Sequence, residues 1–524
     1  MRSRPAPIGR GIRRLRSPAL GVAALVLVGS GTGVADAGGP AVGWRGDGTG
    51  RFPDARPATT WDLKRGTNVQ WRTPMPSWTN ASPIVVGDLI FTTSEPDLLV
   101  CVRAGDGAVL WQRDSGWLDL RPGRDADRLR PVWQRGTAAL HRQWVLAREK
   151  DGLTACLRAA PEDADLKARR GRIEADLAEA AAEAKAAFGD LAKAADLHVP
   201  VWGLSVGFSA PTPTSDGRRV FAKFGTGVVA GFDLDGRRLW TTAVPGVRAD
   251  EPGASSPLLV AGRLVLTHSS TTNKNMSGGP GKPQAVTALD PETGRVAWRH
   301  DPIPGVGWGS GSPVAVRLGE TDVVVTQGGH VVRASDGRPL AQKVGRGGSS
   351  TSVVEGDTVF FLEEFGRRRM AAVRLVPDGE GALRAETRWN IPYFEGRIHH
   401  MDWTTAILAS PVLHGGRLYG VMQIGRLMVY DASDGRLVGE TAVMPPPGDG
   451  AAGAVCWPSP ALAGGHLFIA ERGGGVAIVR PGDSPEVVGR ARLPEELRSS
   501  PVFAGGRMIV RTVESLLAIA KGNP

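Results

Sequence analysis

The segment Ser-Pro-Ile-Val-Val-Gly-Asp-Leu-Ile-Phe, residues 82–91, contains two short apolar runs joined by a glycine turn, which predicts a β-hairpin. Its Ser-Pro start returns five times, and two further starts are weaker copies. The eight starts are Ser82, Thr212, Ser256, Ser312, Thr351, Ser410, Ser459 and Ser500. After the first gap, successive starts lie about 39 to 59 residues apart, which indicates one repeated structural unit.

The second half of the unit is clearest in Ala-Leu-Asp-Pro-Glu-Thr-Gly-Arg-Val-Ala-Trp, residues 288–298. It predicts a third strand, a tight turn with a glycine at positive φ, and a fourth strand that carries a tryptophan. Trp111 and Trp240 follow their Asp-Gly turns in the same way, whereas the turns at Gly337 and Gly435 lack the tryptophan. We expect each indole to pack against the neighbouring unit.

The two ends of the chain complement each other. The last unit begins at Ser500 and ends near Ile519 without a fourth strand, and an isolated strand at 68–72, with Trp71, precedes the first unit. If that strand completes the last unit, no sheet edge is left open. The sequence therefore predicts an all-β fold, an eight-bladed β-propeller of four-stranded antiparallel blades closed by the N-terminal strand.

The units resemble pyrroloquinoline-quinone-like repeats, because residues 288–298 match the pattern A-x-D-x-x-T-G-x-x-x-W in full. The opening segment 44–50, Trp-Arg-Gly-Asp-Gly-Thr-Gly, is also similar to the start of exported members, although Asp47 replaces an expected proline. The resemblance covers roughly residues 44–112 and 200–520. It implies the propeller fold but not an activity, because the family contains both dehydrogenases and non-catalytic scaffolds such as the outer-membrane assembly lipoprotein, which this chain resembles more.

The first gap contains about ninety residues too many, and we assign residues 113–200 to an insertion after blade one. One face of its second half is apolar at helical spacing, which predicts a helix. This stripe consists of Ile173, Leu177, Ala180, Ala184, Phe188, Leu191 and Ala195. We expect a helical hairpin packed on the propeller; the alternative is a helix that docks another protein or a membrane surface. The remaining divisions are an N-terminal extension (38–60), the closing strand with blade one (61–112), and the other blades (201–524).

Residues 1–37 have the pattern of a signal peptide: a basic start, a short apolar stretch and the small-residue site Ala35-Asp36-Ala37. The sequence leaves Sec and Tat export open. Cleavage removes six of the 63 basic and one of the 53 acidic residues and lowers the net charge from +10 to +5, which gives no case for nucleic-acid binding. We expect a periplasmic or extracellular protein with no transmembrane span after cleavage. Its three scattered cysteines do not form a disulfide framework.

The loops that lead into the first strand of each blade gather at one mouth of a propeller's channel, so the residues before each Ser-Pro start are the candidate ligand or partner face. They are Trp78, Asn80, Glu251, Trp308, Arg346, His399, His400, Asp402, Trp403, Trp457 and Arg498, with Glu496 beside the last. The tryptophans suit a stacking surface for a planar ligand or a peptide, or alternatively fill space between blades. We expect no metal at His399 and His400, because adjacent residues of an extended segment point to opposite sides.

The resemblance to quinone-dependent dehydrogenases would imply a platform tryptophan, a calcium ion held by acid and amide groups, and a catalytic aspartate. In some members a disulfide between adjacent cysteines also lies over the cofactor. This chain has no adjacent cysteines and no evident acid and amide set on these loops, so we expect no cofactor. The sequence favours an exported non-catalytic scaffold that binds a protein, peptide or small ligand, with an envelope protein as a possible partner. The alternatives are a quinone-dependent alcohol or sugar dehydrogenase with pyrroloquinoline quinone and calcium, and a carbohydrate-binding module.

Overall fold

The computed structural model describes residues 41–121, 123–195, 206–244, 254–270, 283–305, 310–363, 368–379, 381–394, 404–444 and 455–522. Within these ranges the strands form eight sheets, and the helices of more than four residues all belong to the predicted insertion. The predicted signal peptide, residues 1–37, lies outside the described residues.

We number the sheets by the order of their first strands within the repeats. Sheets 1 to 4 contain β3 (Ile84–Val86), β4 (Leu89–Ser94), β5 (Leu98–Arg103) and β6 (Val109–Asp114); β7 (Thr214–Ser215), β8 (Arg219–Lys223), β9 (Val228–Asp233) and β10 (Arg238–Ala243); β11 (Leu258–Val260), β12 (Arg263–Ser269), β13 (Gln284–Leu289) and β14 (Val296–Ile303); β15 (Val314–Leu318), β16 (Thr321–Val325), β17 (Val331–Arg333) and β18 (Pro339–Ala341).

Sheets 5 to 8 follow the same order. They contain β19 (Val353–Glu355), β20 (Thr358–Glu363), β21 (Arg369–Pro377) and β22 (Leu383–Pro392); β23 (Val412–His414), β24 (Arg417–Met422), β25 (Arg426–Asp431) and β26 (Leu437–Ala442); β27 (Ala461–Ala463), β28 (His466–Ala470), β29 (Gly475–Arg480) and β30 (Glu486–Arg492), with β1 (Arg51–Phe52) added; and β31 (Val502–Ala504), β32 (Arg507–Arg511) and β33 (Ser515–Ala520), with β2 (Val69–Pro74).

Each repeat forms one antiparallel sheet that begins directly after its Ser or Thr start, as the sequence predicts. The second and third strands carry runs of buried apolar residues, such as residues 228–232 of β9, because both of their faces pack against other sheets. The fourth strands alternate between exposed and partly buried residues, as in Glu486–Arg492. Burial therefore holds the repeats together, and the three cysteines are unpaired.

A relay of hydrogen bonds joins the eight repeat starts. The backbone N–H of each start donates to the hydroxyl of the next start, at 2.8–3.0 Å between nitrogen and oxygen. The order is Ser82, Thr212, Ser256, Ser312, Thr351, Ser410, Ser459, Ser500 and again Ser82. The two weaker sequence copies are full members of this relay, and the relay ends where it began.

Tryptophans on the fourth strands pack between sheets, as predicted. Five indoles each donate Nε1–H to a carbonyl oxygen of the next sheet at 2.9–3.0 Å: Trp71 to Ala104, Trp111 to Leu234, Trp240 to Pro291, Trp298 to Ala334 and Trp389 to Ala432. Each ring also covers the turn glycine of that sheet: Gly107, Gly236, Gly294, Gly337 and Gly435. These glycines have φ between 69° and 83°, and an added Cβ would lie 2.5–2.8 Å from the ring, so no larger residue fits.

The N-terminal strand β2 pairs antiparallel with β33, with Trp71 opposite Ala518, which confirms the predicted pairing of the two chain ends. The segment before it contacts several first strands. Val42 bridges Ser215 of sheet 2, and β1 pairs in parallel with β27 of sheet 7. Between them the buried guanidinium of Arg45 donates to the carbonyl oxygens of Pro411 (3.0 Å) and Pro460 (2.8 Å). Burial lowers the pKa of Arg45 to about 9.

The insertion is a helical hairpin, as predicted, formed by α1 (Gly123–Ala159) and α2 (Ala164–Ala195) after a short 3-10 helix (Trp117–Leu120). Strand β6 extends to Asp114, so the insertion begins after that residue rather than at 113. The predicted stripe on α2 is buried at Ile173, Ala180, Ala184, Phe188 and Leu191, half-buried at Leu177, and outside the described side chains at Ala195. None of the described helices is both long and apolar enough to cross a membrane.

Candidate functional site

Five of the eleven predicted site residues lie within the described chain. Trp78, Asn80, Arg346, Trp457 and Arg498 all occupy loops that lead from the last strand of one sheet to the first strand of the next. The other six fall outside the described residues: Glu251, Trp308, His399, His400, Asp402 and Trp403.

Arg498 brings two of the predicted tryptophans together. Its guanidinium carbon lies 5.0 Å from the ring centroid of Trp78 and 5.9 Å from that of Trp457. Arg472, from the loop between β28 and β29, covers Trp457 at 5.1 Å. Both guanidinium groups donate from Nε to the same carboxylate oxygen of Glu496, each at 2.7 Å. The loops that lead into sheets 1, 7 and 8 therefore meet around Arg498.

Helix α1 supplies the remaining members. The ring of Trp144 stacks on Trp78 with centroids 5.7 Å apart and planes 7° apart. One turn later, Arg148 lies 4.7 Å above the Trp144 ring and pairs with Glu496 at 3.7 Å and with Glu514 at 2.8 Å. We call this set the tryptophan–arginine cluster: Trp78, Trp144, Arg148, Trp457, Arg472, Glu496 and Arg498.

The charged side chains of the cluster form ion pairs with one another. Burial opposes ionisation of Glu496, but Arg498 and Arg472 outweigh that effect and lower the pKa of its carboxyl. Arg148, Arg472 and Arg498 exceed Glu496 by two positive charges, and Glu514 offsets one of these. The cluster as a whole is therefore cationic, with aromatic faces beside the cations.

The members of the cluster differ in their exposure to solvent. Trp78 is only 3% exposed, because Trp144 covers it, so the ring fills space between elements rather than forming a free stacking surface. Trp457 and Arg472 are half-buried and present an indole beside a guanidinium. Such a surface suits an acidic or aromatic group of a binding partner.

Asn80 has a structural contact at the junction with sheet 2. Its Nδ2 donates to the carbonyl oxygen of Val206 at 3.2 Å. Nearby, the buried carboxylate of Glu95 accepts hydrogen bonds from the backbone N–H groups of Phe208 (2.9 Å) and Ser209 (2.7 Å), and from the Ser209 hydroxyl (2.6 Å). Burial raises the pKa of Glu95 to about 7, although the three hydrogen bonds favour its charged form.

Arg346 lies apart from the cluster. Its Nε pairs with an oxygen of Glu363 at 2.8 Å, and both residues line a cleft between sheets 4 and 5. The sequence places Arg346 in the same class of loop as Trp457, but the structure gives it different partners.

The acid and amide groups described on these loops do not form a calcium site. In the described part of the chain, no three His, Cys, Asp or Glu side chains converge closely enough to hold a metal ion. Asn80 and Glu95, an amide and an acid on the loops of sheet 1, both contact the segment 206–209.

Sequence reasoning missed the three members that lie outside the loops before the Ser-Pro starts: Trp144, Arg148 and Arg472. The signal for the first existed, because Leu129, Trp133 and Gly136 define a buried stripe on α1 that continues to Trp144. The sequence-based prediction of a helix covered only the second half of the insertion. Nothing in the sequence of the loop 471–474 marks Arg472.

The repeated antiparallel sheets, joined by indole contacts and by the relay of hydroxyl groups, define a β-propeller. A family model described as the outer membrane protein assembly factor BamB matches residues 192–441. This match, which covers just under half of the chain, and the repeats support a propeller of pyrroloquinoline-quinone-like repeats.

Solved structures with a similar fold include a quinohemoprotein alcohol dehydrogenase from Comamonas testosteroni, which is 11% identical, with a TM-score of 0.50 over 92% of this chain and 81% of that one. BamB from Moraxella catarrhalis is also 11% identical, with a TM-score of 0.49 over 87% of this chain and 98% of that one. At these identities the likeness shows the fold alone. No curated protein matches the sequence.

Proposed function

We propose that this protein is an exported, non-catalytic scaffold, an eight-bladed propeller closed into a ring, that binds a protein or an extended peptide on one face. The face is the one formed by the tryptophan–arginine cluster. The observation that carries the proposal is the meeting of Trp457, Arg472 and Arg148 from two sheets and the inserted helix at one half-exposed, cationic surface.

Two observations support the closed ring of eight blades. The relay of starts contains eight members, and the backbone N–H of the last one, Ser500, donates to the hydroxyl oxygen of the first one, Ser82. The pairing of β2 with β33 places the N-terminal strand in the same sheet as the C-terminal strand. A ring of this kind presents its loops with little entropy left to lose when a partner binds.

Export is supported by the sequence pattern of residues 1–37, and a protein partner by the match to a family model named for an assembly factor. The partner would be an envelope protein with acidic or aromatic side chains at its contact, because the surface offers guanidinium groups beside an indole.

Photocrosslinking tests the partner face. A photoreactive phenylalanine analogue at position 457 is expected to crosslink a defined envelope protein, and the variants Arg472→Glu and Arg148→Glu are expected to abolish that product. The matched control places the analogue at Val488, an exposed residue on β30 of sheet 7, the sheet into which the loop with Trp457 leads. Equal crosslinking from 457 and 488, or a product that survives both charge reversals, would overturn the proposed face.

A separate titration tests the absence of catalysis. Added pyrroloquinoline quinone with calcium is expected to leave the melting temperature and the near-ultraviolet absorption of the protein unchanged. A saturable rise in both would contradict a non-catalytic scaffold and favour the dehydrogenase alternative.

A further inference from the structure

The contacts between neighbouring sheets differ at one register position, the residue that pairs next to the bulge of the fourth strand. In sheet 3 this residue is Trp298, opposite Ala288; in sheet 4 it is Ala341, opposite Val331. Both follow their turn glycine by four residues. Sheet 4 therefore lacks the indole that sheets 1, 2, 3, 5 and 8 place against their neighbours.

Sheets 6 and 7 also lack a tryptophan at this position, but their junctions are closed by other means. Gly439 takes the place in sheet 6, where an added Cβ would lie 1.9 Å from the carbonyl oxygen of Asp483, so the backbones meet directly. Gly489 takes it in sheet 7, and there the N-terminal segment packs alongside, with the Trp61 indole donating to the Arg492 carbonyl oxygen at 3.1 Å. A different contact closes the junction of sheets 4 and 5, where Leu340 and Ala341 of β18 pack against an apolar cluster that contains Val373 and Leu375 of sheet 5.

The acceptor for a missing indole is nevertheless in place. The N–H of Leu375 donates to the carbonyl oxygen of Asp357 at 2.9 Å, as the N–H of Ala334 does to Asp322 in sheet 4. Ala334 is the residue that accepts the Trp298 indole, so Leu375 is its counterpart in sheet 5. Sheet 4 has no indole to donate to this residue, and the half-buried Ala341 packs instead against the apolar cluster that contains Leu375.

A cleft of about 520 Å³ opens at this junction, with Val373 and Thr387 on its sheet 5 wall. A cleft of this volume accommodates a small organic molecule. Three cationic side chains line it, Lys343, Arg346 and Arg369, against one carboxylate, Glu363. Glu363 pairs with Arg346, and Arg369 donates from Nε to Asn390 at 2.6 Å. The described lining of the cleft therefore carries a net charge of +2.

The backbone at Lys343 is an unusual feature of the cleft. Its φ is 57°, in the left-handed region that favours glycine and asparagine, and the residue is exposed. A lysine there costs about 1 kcal/mol relative to glycine. Strained residues of this kind concentrate at binding sites, where the strain fixes the direction of a side chain.

We propose that the cleft between sheets 4 and 5 binds a small organic anion with two or more carboxylate or phosphate groups. Lys343 and Arg346 supply charge-assisted hydrogen bonds to one anionic group, and Arg369 supplies them to the other. The site is independent of the partner face, because none of its residues belongs to the tryptophan–arginine cluster.

Calorimetric titration of the full chain with citrate, and separately with inorganic phosphate, tests this site at constant ionic strength. Citrate, which carries more than one anionic group, is expected to bind more tightly than phosphate, which carries one, and the variant Lys343→Gln is expected to weaken citrate binding at least fivefold. The control Arg426→Gln removes a cation that pairs with Glu440 on another sheet, and it is expected to leave the dissociation constant unchanged. Phosphate binding as tight as citrate binding would contradict a site for two anionic groups.

The variant Thr387→Trp provides a second test that does not depend on charge. Thr387 is an exposed residue of the cleft wall, so an indole there is expected to occupy the cleft and lower the affinity for the anion at least tenfold with little change in the melting temperature. Absence of binding by both anions, or equal affinity of Lys343→Gln and the unsubstituted protein, would overturn the proposal.

Discussion

Tryptophans of two regions have different neighbours. On the fourth strands, Trp298 and its equivalents lie over a glycine turn and donate to a backbone carbonyl, and the same arrangement recurs at five junctions. On the loops, Trp78 and Trp457 lie beside arginines, and Trp78 also stacks on the inserted helix. The first region repeats and supports the fold, whereas the second occurs once and is therefore the region where we propose the partner face.

The largest expected effect separates these two regions directly. Trp298→Ala removes a buried ring and its hydrogen bond to Ala334, and we expect it to lower the free energy of unfolding by about 3 to 5 kcal/mol. Trp457→Ala, at a half-buried ring, is expected to cost less than about 1.5 kcal/mol. Urea unfolding followed by circular dichroism measures both, and equal losses would remove the distinction.

A matched pair of turn glycines tests how tightly the indoles of the first region pack on their turns. Gly294 (φ 69°) faces the Trp240 ring, whereas Gly262 (φ 67°) has open space around it. Alanine at either position pays the same conformational cost, but at 294 its Cβ would lie 2.5 Å from the ring. We expect Gly294→Ala to be less stable than Gly262→Ala by about 1 to 3 kcal/mol in the same urea experiment. Equal stability of the two variants would show that the indole contact is loose.

The stability contributed by the buried carboxyl group of Glu95, at the loops of sheet 1, is expected to depend on pH. Burial raises the pKa of Glu95 to about 7, from 4.5 in the unfolded chain, so the folded state binds the proton more tightly. The stability from this group is complete below pH 4.5 and is lost as the pH rises through 7, a loss of about 2 kcal/mol between pH 5 and pH 7. Glu95→Gln is expected to reduce this loss without abolishing it, because burial also raises the pKa of Asp97 to about 7. A stability that rises over this interval in the parent and not in the variant would give the opposite sign.

The smallest expected effect concerns the relay that joins all repeats. Ser256→Ala removes the hydroxyl that accepts the buried N–H of Thr212, and we expect a loss of about 1 to 2 kcal/mol. Ser335→Ala, at an exposed serine, is the control and is expected to change stability by less than about 0.5 kcal/mol. If thermal unfolding does not distinguish the two variants, water satisfies the N–H of Thr212 as well as the hydroxyl does.

The sequence predicts the repeated part of the molecule well, because each repeat provides an independent copy of the same local signals. The Ser-Pro starts, the turn glycines and the indole at Trp298 all reappear in the sheets where they are expected. Even the pairing of Trp71 with the last strand follows from counting strands.

The features that occur once are harder to predict. Arg45 donates to carbonyl oxygens 366 and 415 residues away, and nothing local marks those partners. Arg148 reaches the loops only through the orientation of the hairpin, which its own apolar stripe does not determine. The candidate site was therefore predicted in its loop residues, Trp457 and Arg498, but not in the helix that completes it.

Disulfide trapping tests the closed ring most directly. Cysteines at Thr73 and Leu516, which lie opposite each other on β2 and β33, are introduced into the full chain with Cys156 replaced by serine. The natively folded protein is expected to form this disulfide bond on mild oxidation, whereas cysteines at Thr73 and Ser335 are expected to form none. Failure of the 73–516 bond to form in the folded protein, as read by mass spectrometry of its peptides, would contradict the ring.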